Sequence, residues 1–276
     1  MENEAPIVIV IFALVLILIA LILFFATFIT FFEFLYGRIF HKPFYVHYYP
    51  SPKNLARNQY EILFNEFPFY KKLSPKRRAY FEHRTASFIE RYEFIGKDGF
   101  EVDERVKVLI SATSVMLTFG MRTYLYKVFD KIIIYPSSYY STINETYHKG
   151  EFNPNMKAVV FSWEDFETGL LYNNDNINLG LHEFTHVLNF QGLKSEDASS
   201  LIFARFFNEI RKEANHAPNR ARLMASGYFR EYAYTNDFEF LAVILEHFFE
   251  TPEKFKSEFP ELFHKVKRMI NFSETA

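Results

Sequence analysis

The sequence predicts an α+β fold preceded by one transmembrane helix, and three observations support this prediction. Residues 5–32 carry no formal charge, and about 20 apolar residues in a helix already cross the hydrocarbon core of a bilayer. Two short segments, Lys131–Tyr135 and 156–161, have the composition of β-strands. The pattern after Gly169 is mainly helical. Because the predicted strands and the later helices form separate runs, an α+β arrangement is favoured.

The composition excludes several classes of protein. Of 276 residues, 49% are hydrophobic and 20% are aromatic, which excludes a disordered chain. The 31 basic and 33 acidic residues give a net charge of -2, so the strong positive field of a dedicated nucleic-acid binder is missing. The chain has no cysteine, which excludes disulfides, thiolate metal ligands and a cysteine nucleophile. Any metal ion is therefore expected to be held by His, Asp or Glu.

We predict that residues 1–36 form a membrane anchor and not a cleaved signal peptide. The apolar run is too long for a signal peptide, the acidic Glu2 and Glu4 stand where basic residues are usual, and no A-x-A-like cleavage site follows. A wholly buried helix of a soluble protein is disfavoured by the length of the run and its lack of charge. Since the basic Arg38 and Lys42 follow the helix, the positive-inside rule predicts a single-pass membrane protein with a cytoplasmic C-terminal domain.

The rest of the chain is predicted to form a short linker and one domain. Residues 37–54 mix aromatic and basic residues with three prolines, which is typical of an interfacial juxtamembrane linker. Residues 55–276 contain no Gly/Ser-rich break and no internal repeat, and they are enough for one sizeable core. Within this domain, Ser74 followed by a proline predicts the start of a helix that ends near residue 92, and a second helix is predicted over residues 103–118.

The strongest functional signal is an H-E-x-x-H motif that consists of His182, Glu183 and His186. Two histidines at positions i and i+4 project from one face of a helix and can share one zinc ion, while the intervening glutamate is placed to accept a proton from the metal-bound water. The motif arises by chance in about one chain in a hundred of this length, so it needs support from its surroundings.

The surrounding sequence supports a helix at the motif. Asp175 or Asn176 can cap its N-terminus, and Gly192 can end it. Apolar residues at i, i+4, i+7 and i+11 form one stripe: Ile177, Leu181, Phe184 and Leu188. His182 and His186 lie roughly 130–170° from the centre of this stripe. The histidine pair is therefore predicted to lie outside the apolar core, where two plain surface histidines are the alternative to a metal site.

A catalytic zinc ion needs a third protein ligand and one open coordination position. A third histidine of the metzincin pattern is excluded, because Asn189 and Gly192 occupy the positions that the pattern requires to be Gly and His. Glu209 lies 23 residues after the second histidine, near the thermolysin-like spacing, although no aspartate follows it on the next helical turn. Glu239 lies in the first turn of a predicted helix capped by Asn236, where it could equally be a capping residue. The spacing does not decide between these two carboxylates.

Three blocks of the sequence together resemble the Mlc titration factor A family of zinc-dependent peptidases. They are residues 182–188, 158–163 and 232–243, and the resemblance extends over about residues 60–270. The combination of blocks is far more specific than the H-E-x-x-H motif alone. It implies a zincin-type catalytic domain related to that of anthrax lethal factor, so the expected fold becomes an α+β, zincin-like metallopeptidase domain behind one N-terminal transmembrane helix.

The resemblance also implies roles for individual residues. It gives His182, His186 and Glu239 as ligands of Zn2+, and it makes Glu183 the general base. Tyr232 matches a tyrosine that is positioned to stabilise the oxyanion, although an ordinary packed tyrosine is nearly as good an interpretation.

Two further positions bear on how a zinc ligand is oriented. Asn189 stands where members of the family commonly have aspartate, which puts the orientation of a ligand in question. Glu246 lies seven positions after Glu239 on the same helical face, and it either hydrogen-bonds to a zinc-ligating histidine or is solvated. The sequence leaves both alternatives open for Glu246.

These observations predict a membrane-anchored zinc-dependent peptidase that acts on a peptide or protein substrate and has no nucleic-acid partner. Glu183 is expected to activate the zinc-bound water, and the strand at 156–161 is expected to bind substrate by strand addition. The alternative is a membrane-tethered binding protein, because the resemblance also implies sequestering of a transcriptional repressor. An intact Glu183 favours the enzyme. A purely structural zinc ion is disfavoured, because structural sites are usually closed by four protein ligands.

Overall fold

The computed structural model describes residues 4–141, 145–172, 174–195 and 197–273. The chain forms two compact units, Met1–Phe44 and Tyr45–Ala276, and the boundary between them falls inside the stretch 37–54 that was predicted to be a linker. Glu2, one of the acidic residues used to predict the orientation of the membrane helix, lies outside the described residues.

The first unit consists mainly of helix α1 (Glu4–Phe40). The stretch Ile7–Phe40 is long and apolar enough to cross a membrane, since a helix rises about 1.5 Å per residue and the hydrocarbon core is about 30 Å thick. Its large apolar side chains are exposed, and Arg38 lies in its last turn. The predicted long apolar helix at the N-terminus is thus confirmed.

The second unit contains a four-stranded mixed sheet. Strands β1 (Glu93–Gly96), β2 (Lys131–Tyr135) and β6 (Ala158–Ser162) run parallel, and β5 (Gly150–Asn153) runs antiparallel to β6. The strand order is β1-β2-β6-β5. The two strands predicted from the sequence are confirmed as β2 and β6, which begins two residues later than expected, whereas β1 and β5 were not predicted.

The strand order corrects one expectation about substrate binding. Both edges of β6 are paired, one with β2 and one with β5. A peptide therefore has no edge of β6 to which it can add, and the prediction of strand addition at residues 156–161 is wrong. Among the described residues, no strand pairs with the outer edge of β5, so the available edge on this side of the sheet belongs to β5.

A small hairpin and a set of helices complete the second unit. The hairpin strands are β3 (Tyr139–Ser141) and β4 (Thr146–His148), and Tyr139 packs with Ile133 and Val160 of the sheet. The helices are α2 (Arg57–Glu66), α3 (Pro68–Lys71), α4 (Pro75–Arg91), α5 (Glu104–Thr118), α6 (Trp163–Leu171), α7 (Leu179–Gly192), α8 (Ala198–Asn215), α9 (Ala217–Ala225), α10 (Asp237–Glu250), α11 (Pro252–Glu258) and α12 (Pro260–Met269). The predicted helices at 75–92 and 103–118 are confirmed as α4 and α5. The fold is a mixed one of helix and sheet.

Helix α7 is held in the middle of the core. It packs against α5, α10 and β5. Phe184 is fully buried, and its ring lies 5.5 Å from the ring of Phe161 on β6 and 5.9 Å from that of Phe88 on α4. Because Phe184 follows Glu183 directly, this packing fixes the position of the H-E-x-x-H motif relative to the sheet.

Candidate metal centre

Helix α7 begins later than the sequence suggested. Its N-cap is Asn178, whose side chain accepts a hydrogen bond from the backbone N–H of Leu181. Asn176 has a φ of 61° and donates its N–H to Glu250 on α10, so its backbone is not helical and it cannot start the helix. The prediction of Asp175 or Asn176 as the cap is therefore wrong, whereas the predicted end at Gly192 is confirmed.

Helix α7 has one buried face and one partly exposed face, and the two histidines of the motif lie on the exposed one. Leu181, Phe184 and Leu188 are buried, as the apolar stripe predicted, but Ile177 precedes the helix and is 59% exposed. The partly exposed positions from the first turn onward include Leu179, His182, His186 and Phe190, which share one helical face. The two histidines thus lie on a face of α7 that is partly open to solvent, with side chains that are 12% and 21% exposed.

Helix α10 places Glu239 against this open face. His182 Nε2 lies 3.0 Å from Glu239 Oε2, and His186 Nε2 lies 3.5 Å from Glu239 Oε1. Asn236 caps α10 and accepts hydrogen bonds from the N–H groups of Phe238 and Glu239. The capping geometry fixes the first turn of α10, and with it the Glu239 carboxylate beside the two histidines.

The other carboxylate considered from the sequence lies elsewhere. Glu209 forms an ion pair with Arg205 on an exposed face of α8. Within the part of the chain that the structure describes, the group of side chains close enough to hold a metal ion consists of His182, His186 and Glu239, and Glu209 does not belong to it.

The geometry of this group fits a metal ion. One ligand atom of each residue lies within 4.8 Å of the other two. Two ligands of a tetrahedral zinc ion are about 3.3 Å apart when each bond is about 2.0–2.1 Å long. The separations of 3.0 Å (to Glu239 Oε2) and 3.5 Å (to Glu239 Oε1) are of this size, although they involve the two different carboxylate oxygens. Glu239 Oε2 is buried and faces His182 Nε2 at a distance of 3.0 Å. A cation between the three side chains would satisfy this oxygen, and two histidines with one carboxylate leave a fourth position open.

Glu246 resolves one of the alternatives left open by the sequence. Its Oε1 lies 2.7 Å from His182 Nδ1, and the residue is 0% exposed. The solvated alternative is excluded, and the structure shows the other one, a hydrogen bond to a histidine of the motif. Because the carboxylate accepts a hydrogen bond from Nδ1–H, Nε2 is left to face Glu239. The buried Asn189 does not orient His182, because the carboxylate that does so belongs to Glu246 on α10.

Arg230 is a residue of the site that the sequence did not reveal. Its guanidinium donates hydrogen bonds of 2.6 and 2.9 Å to the two carboxylate oxygens of Glu246, and a third of 2.6 Å to the backbone carbonyl of Asn176. A bidentate pair of this kind neutralises a buried carboxylate. The two residues are 16 positions apart in the sequence and on different elements, so no local pattern predicts the pair.

Glu183 lies beside the edge strand. It is buried, and its carboxylate accepts a hydrogen bond from the backbone N–H of Phe152 on β5. This contact needs a close approach of β5 to α7, and Gly150 permits it because it has no Cβ atom. A Cβ atom there would lie 2.8 Å from Glu183 Cγ and 2.7 Å from Leu179 Cδ1. Burial raises the pKa of Glu183 to about 7, and the negative charge of Glu239 adds to the rise.

The two histidines hold their protons differently in the metal-free protein. Burial lowers the pKa of His182, but its contacts with Glu239 and Glu246 raise it more, to about 10. Burial and the nearby His182 lower the pKa of His186 to about 4. At neutral pH, His182 therefore carries a positive charge between two carboxylates while His186 is neutral. A metal cation would replace the proton of His182 in the same electrostatic position.

Tyr232 lies next to the group on a 3₁₀ turn, Glu231–Tyr234. Its ring centroid is 6.0 Å from that of His182, its hydroxyl hydrogen-bonds to Glu239, and the residue is half exposed. Burial of the hydroxyl and the charge of Glu239 raise the pKa of Tyr232 to about 12. The side chain is thus a neutral hydrogen-bond donor at the open side of the site.

Comparison with known families matches most of the second unit. The family described as glucose-regulated metallo-peptidase M90 matches residues 49–270, a range that contains every residue of the group described above. An uncharacterized protein of Synechocystis sp. is 24% identical to this chain in an alignment of 230 positions that covers 75% of this chain and 81% of the relative.

Proposed function

Because the chain belongs to the glucose-regulated metallo-peptidase M90 family, the family of Mlc titration factor A to which the sequence blocks point, we propose that it is a zinc-dependent peptidase anchored in a membrane by α1. The observation that carries the proposal is the constellation on α7 and α10. His182, His186 and Glu239 converge on one point, and Glu183 lies on the same helix with its carboxylate directed to the edge of the sheet. A protein that only binds a partner has no use for such a base.

The side chains around the proposed zinc ion have distinct tasks. Zinc, when bound, supplies Lewis-acid chemistry that acidifies a water molecule and polarises the substrate carbonyl. Glu183 accepts a proton from the attacking water and delivers it to the leaving amine, and its burial, which raises the pKa of the carboxyl, favours accepting the proton. Tyr232 donates a hydrogen bond to the developing oxyanion, since its pKa of about 12 keeps its proton in place. Glu246 and Arg230 hold His182 in the orientation that presents Nε2.

The outer edge of β5 is the proposed binding place for the substrate backbone. The N–H of Phe152 points away from β6, because it donates to Glu183 and not to the neighbouring strand. An extended peptide can add to this edge as a further strand, taking over the Phe152 N–H from Glu183. A mixed sheet with an antiparallel edge strand above a metal-binding helix supports a zincin-type interpretation of the fold.

The proposed location follows from α1 and its flanking charges. Arg38 and Lys42 follow the apolar stretch Ile7–Phe40, and the positive-inside rule then puts the peptidase unit in the cytoplasm. Protease added to sealed cells should leave the second unit intact and should digest it only after lysis. Digestion in sealed cells would contradict the cytoplasmic location.

The proposed activity is tested with the zinc-loaded 276-residue chain and a mixture of unrelated peptides, with cleavage followed by mass spectrometry. Glu183→Gln should retain zinc and lose about 10²–10⁴-fold in rate, because it removes the general base. Glu209→Gln is the matched control, since it changes a glutamate outside the group and should leave the rate unchanged. Full activity of zinc-loaded Glu183→Gln would refute the role of the base.

A further inference from the structure

The open face of α7 continues past the metal-binding group. Phe190 is partly exposed and lies one helical turn after His186, so its side chain is a neighbour of His186 on the same face. The residues between them, Val187, Leu188 and Asn189, are buried. Any molecule that extends from the metal-binding group towards the C-terminal end of α7 therefore meets the ring of Phe190.

Strand β5 supplies a second ring at the same place. Phe152 and Gly150 share one face of the strand because they are two residues apart, and Gly150 closely approaches Leu179 and Glu183 of α7. The ring of Phe152 thus faces α7, and its centroid lies 5.3 Å from that of Phe190 at an interplanar angle of 68°. Both residues are partly exposed. We call these two rings the Phe152–Phe190 surface.

A lysine lies over one of these two rings. Lys194 Nζ lies 4.1 Å from the ring centroid of Phe190, and the residue is exposed. The position therefore combines two apolar rings with a positive charge beside them. Such a place favours an apolar or aromatic side chain, which also buries the two rings, and it repels a basic one.

We propose that the Phe152–Phe190 surface is a substrate subsite that selects an apolar, preferably aromatic, side chain on the amino-terminal side of the scissile bond. This inference rests on the proposed peptidase function and specifies its substrate. The direction follows from β5, which runs from Gly150 beside Glu183 to Phe152 beside Phe190. A peptide that adds antiparallel to β5 runs the opposite way, so the residues over Phe190 precede the bond that lies over Glu183.

The test begins with one peptide that the zinc-loaded 276-residue chain cleaves. The peptide is resynthesised with Phe, Ala or Lys at each of the two positions before the cleaved bond, and kcat/KM is measured. At one of these positions, Phe should exceed Ala by about tenfold, and Lys should be the poorest. Phe190→Ala should remove most of the preference for Phe over Ala. Phe190→Glu should reverse the order of Phe and Lys, which loss of packing alone cannot do. Phe64→Ala, which changes an exposed ring on α2, is the control and should leave the preference unchanged.

The outcomes separate the subsite from the peptidase function. Cleavage with a preference that neither Phe190 variant alters, or with a preference only after the cleaved bond, overturns the subsite and leaves the peptidase intact. If no peptide is cleaved, binding of the same peptides to zinc-loaded Glu183→Gln is measured by fluorescence anisotropy. A preference for Phe that is lost on adding Phe190→Ala then supports the subsite although the proposed peptidase has failed. Equal binding of all peptides overturns the subsite.

Discussion

Replacing Arg230 with methionine is expected to destabilise the metal-free protein by about 3 kcal/mol. Removing one partner of a buried ion pair costs about 3–5 kcal/mol, because the remaining charge stays buried without compensation. Glu246 is 0% exposed and would keep only its contact with His182. The side chain of Arg230 is 30% exposed, so water can partly replace it and the lower end of the range applies. The substitution also removes the hydrogen bond to the carbonyl of Asn176.

The assay is urea unfolding of the metal-free 276-residue chain in detergent, followed by near-ultraviolet circular dichroism. Two variants are matched controls. Arg57→Met removes an ion pair to Glu61 in which the arginine is 92% exposed, and it should cost less than about 0.5 kcal/mol. The double variant Arg230→Met/Glu246→Leu removes both buried charges, and it should recover at least half of the lost stability.

The same substitution should weaken zinc binding, because Glu246 loses the partner that fixes its carboxylate against His182. Loss of such an outer partner typically reduces metal affinity about 10–100-fold. A competition titration with a chelator measures this effect independently of unfolding. The reasoning is refuted if Arg230→Met loses less than about 1 kcal/mol of stability and binds zinc as tightly as the unaltered chain.

Two other features of the site make testable predictions. Zinc affinity should rise about tenfold per pH unit between about pH 6 and 9, because the pKa of His182 is about 10 in the metal-free protein and the ion must displace this proton. Calorimetry in buffers of different ionisation enthalpy should detect about one proton released. A pH-independent affinity would contradict this. Gly150→Ala should lower kcat at least about tenfold while zinc is retained, because the added Cβ displaces Glu183. An unchanged kcat would show that the contact between β5 and Glu183 does not matter for the reaction.

Local patterns predicted the elements whose sequences are continuous apolar runs. The stretch Ile7–Phe40 is apolar throughout, and β2 and β6 are continuous runs of buried residues, so composition alone identified them. Strand β5 has the sequence Gly-Glu-Phe-Asn, which shows neither an apolar run nor clear alternation. It forms because it pairs with β6 across the short connection at residues 154–157, so the partner strand decides its conformation and its own composition does not.

The order of strands in the sheet caused the error about substrate binding. Residues 156–161 have the composition of a strand, but composition does not tell which edges are paired. The cap of α7 was missed for a similar reason. Asn178 also donates to the carbonyl of Gly169 and to Glu250, and these tertiary contacts decide which of three neighbouring polar residues begins the helix.

The candidate site was only partly accessible from the sequence. His182 and His186 are four residues apart on one helix, so their proximity follows from helical geometry. The choice between Glu209 and Glu239 depends on how α8 and α10 pack against α7, which spacing does not determine, and only the resemblance of residues 232–243 to a known family pointed to Glu239. Arg230 lies on a loop, and nothing in its local sequence marks it as the partner of Glu246.

The zinc content of the purified 276-residue chain tests the central claim most directly. Zinc is measured by elemental analysis after dialysis without chelator, for the unaltered chain, for Glu239→Gln and for Glu209→Gln. We expect about one zinc ion per chain in the unaltered protein and in Glu209→Gln, and a loss or sharp reduction in Glu239→Gln. A full zinc ion in Glu239→Gln, or none in the unaltered chain, would contradict a metal site formed by His182, His186 and Glu239.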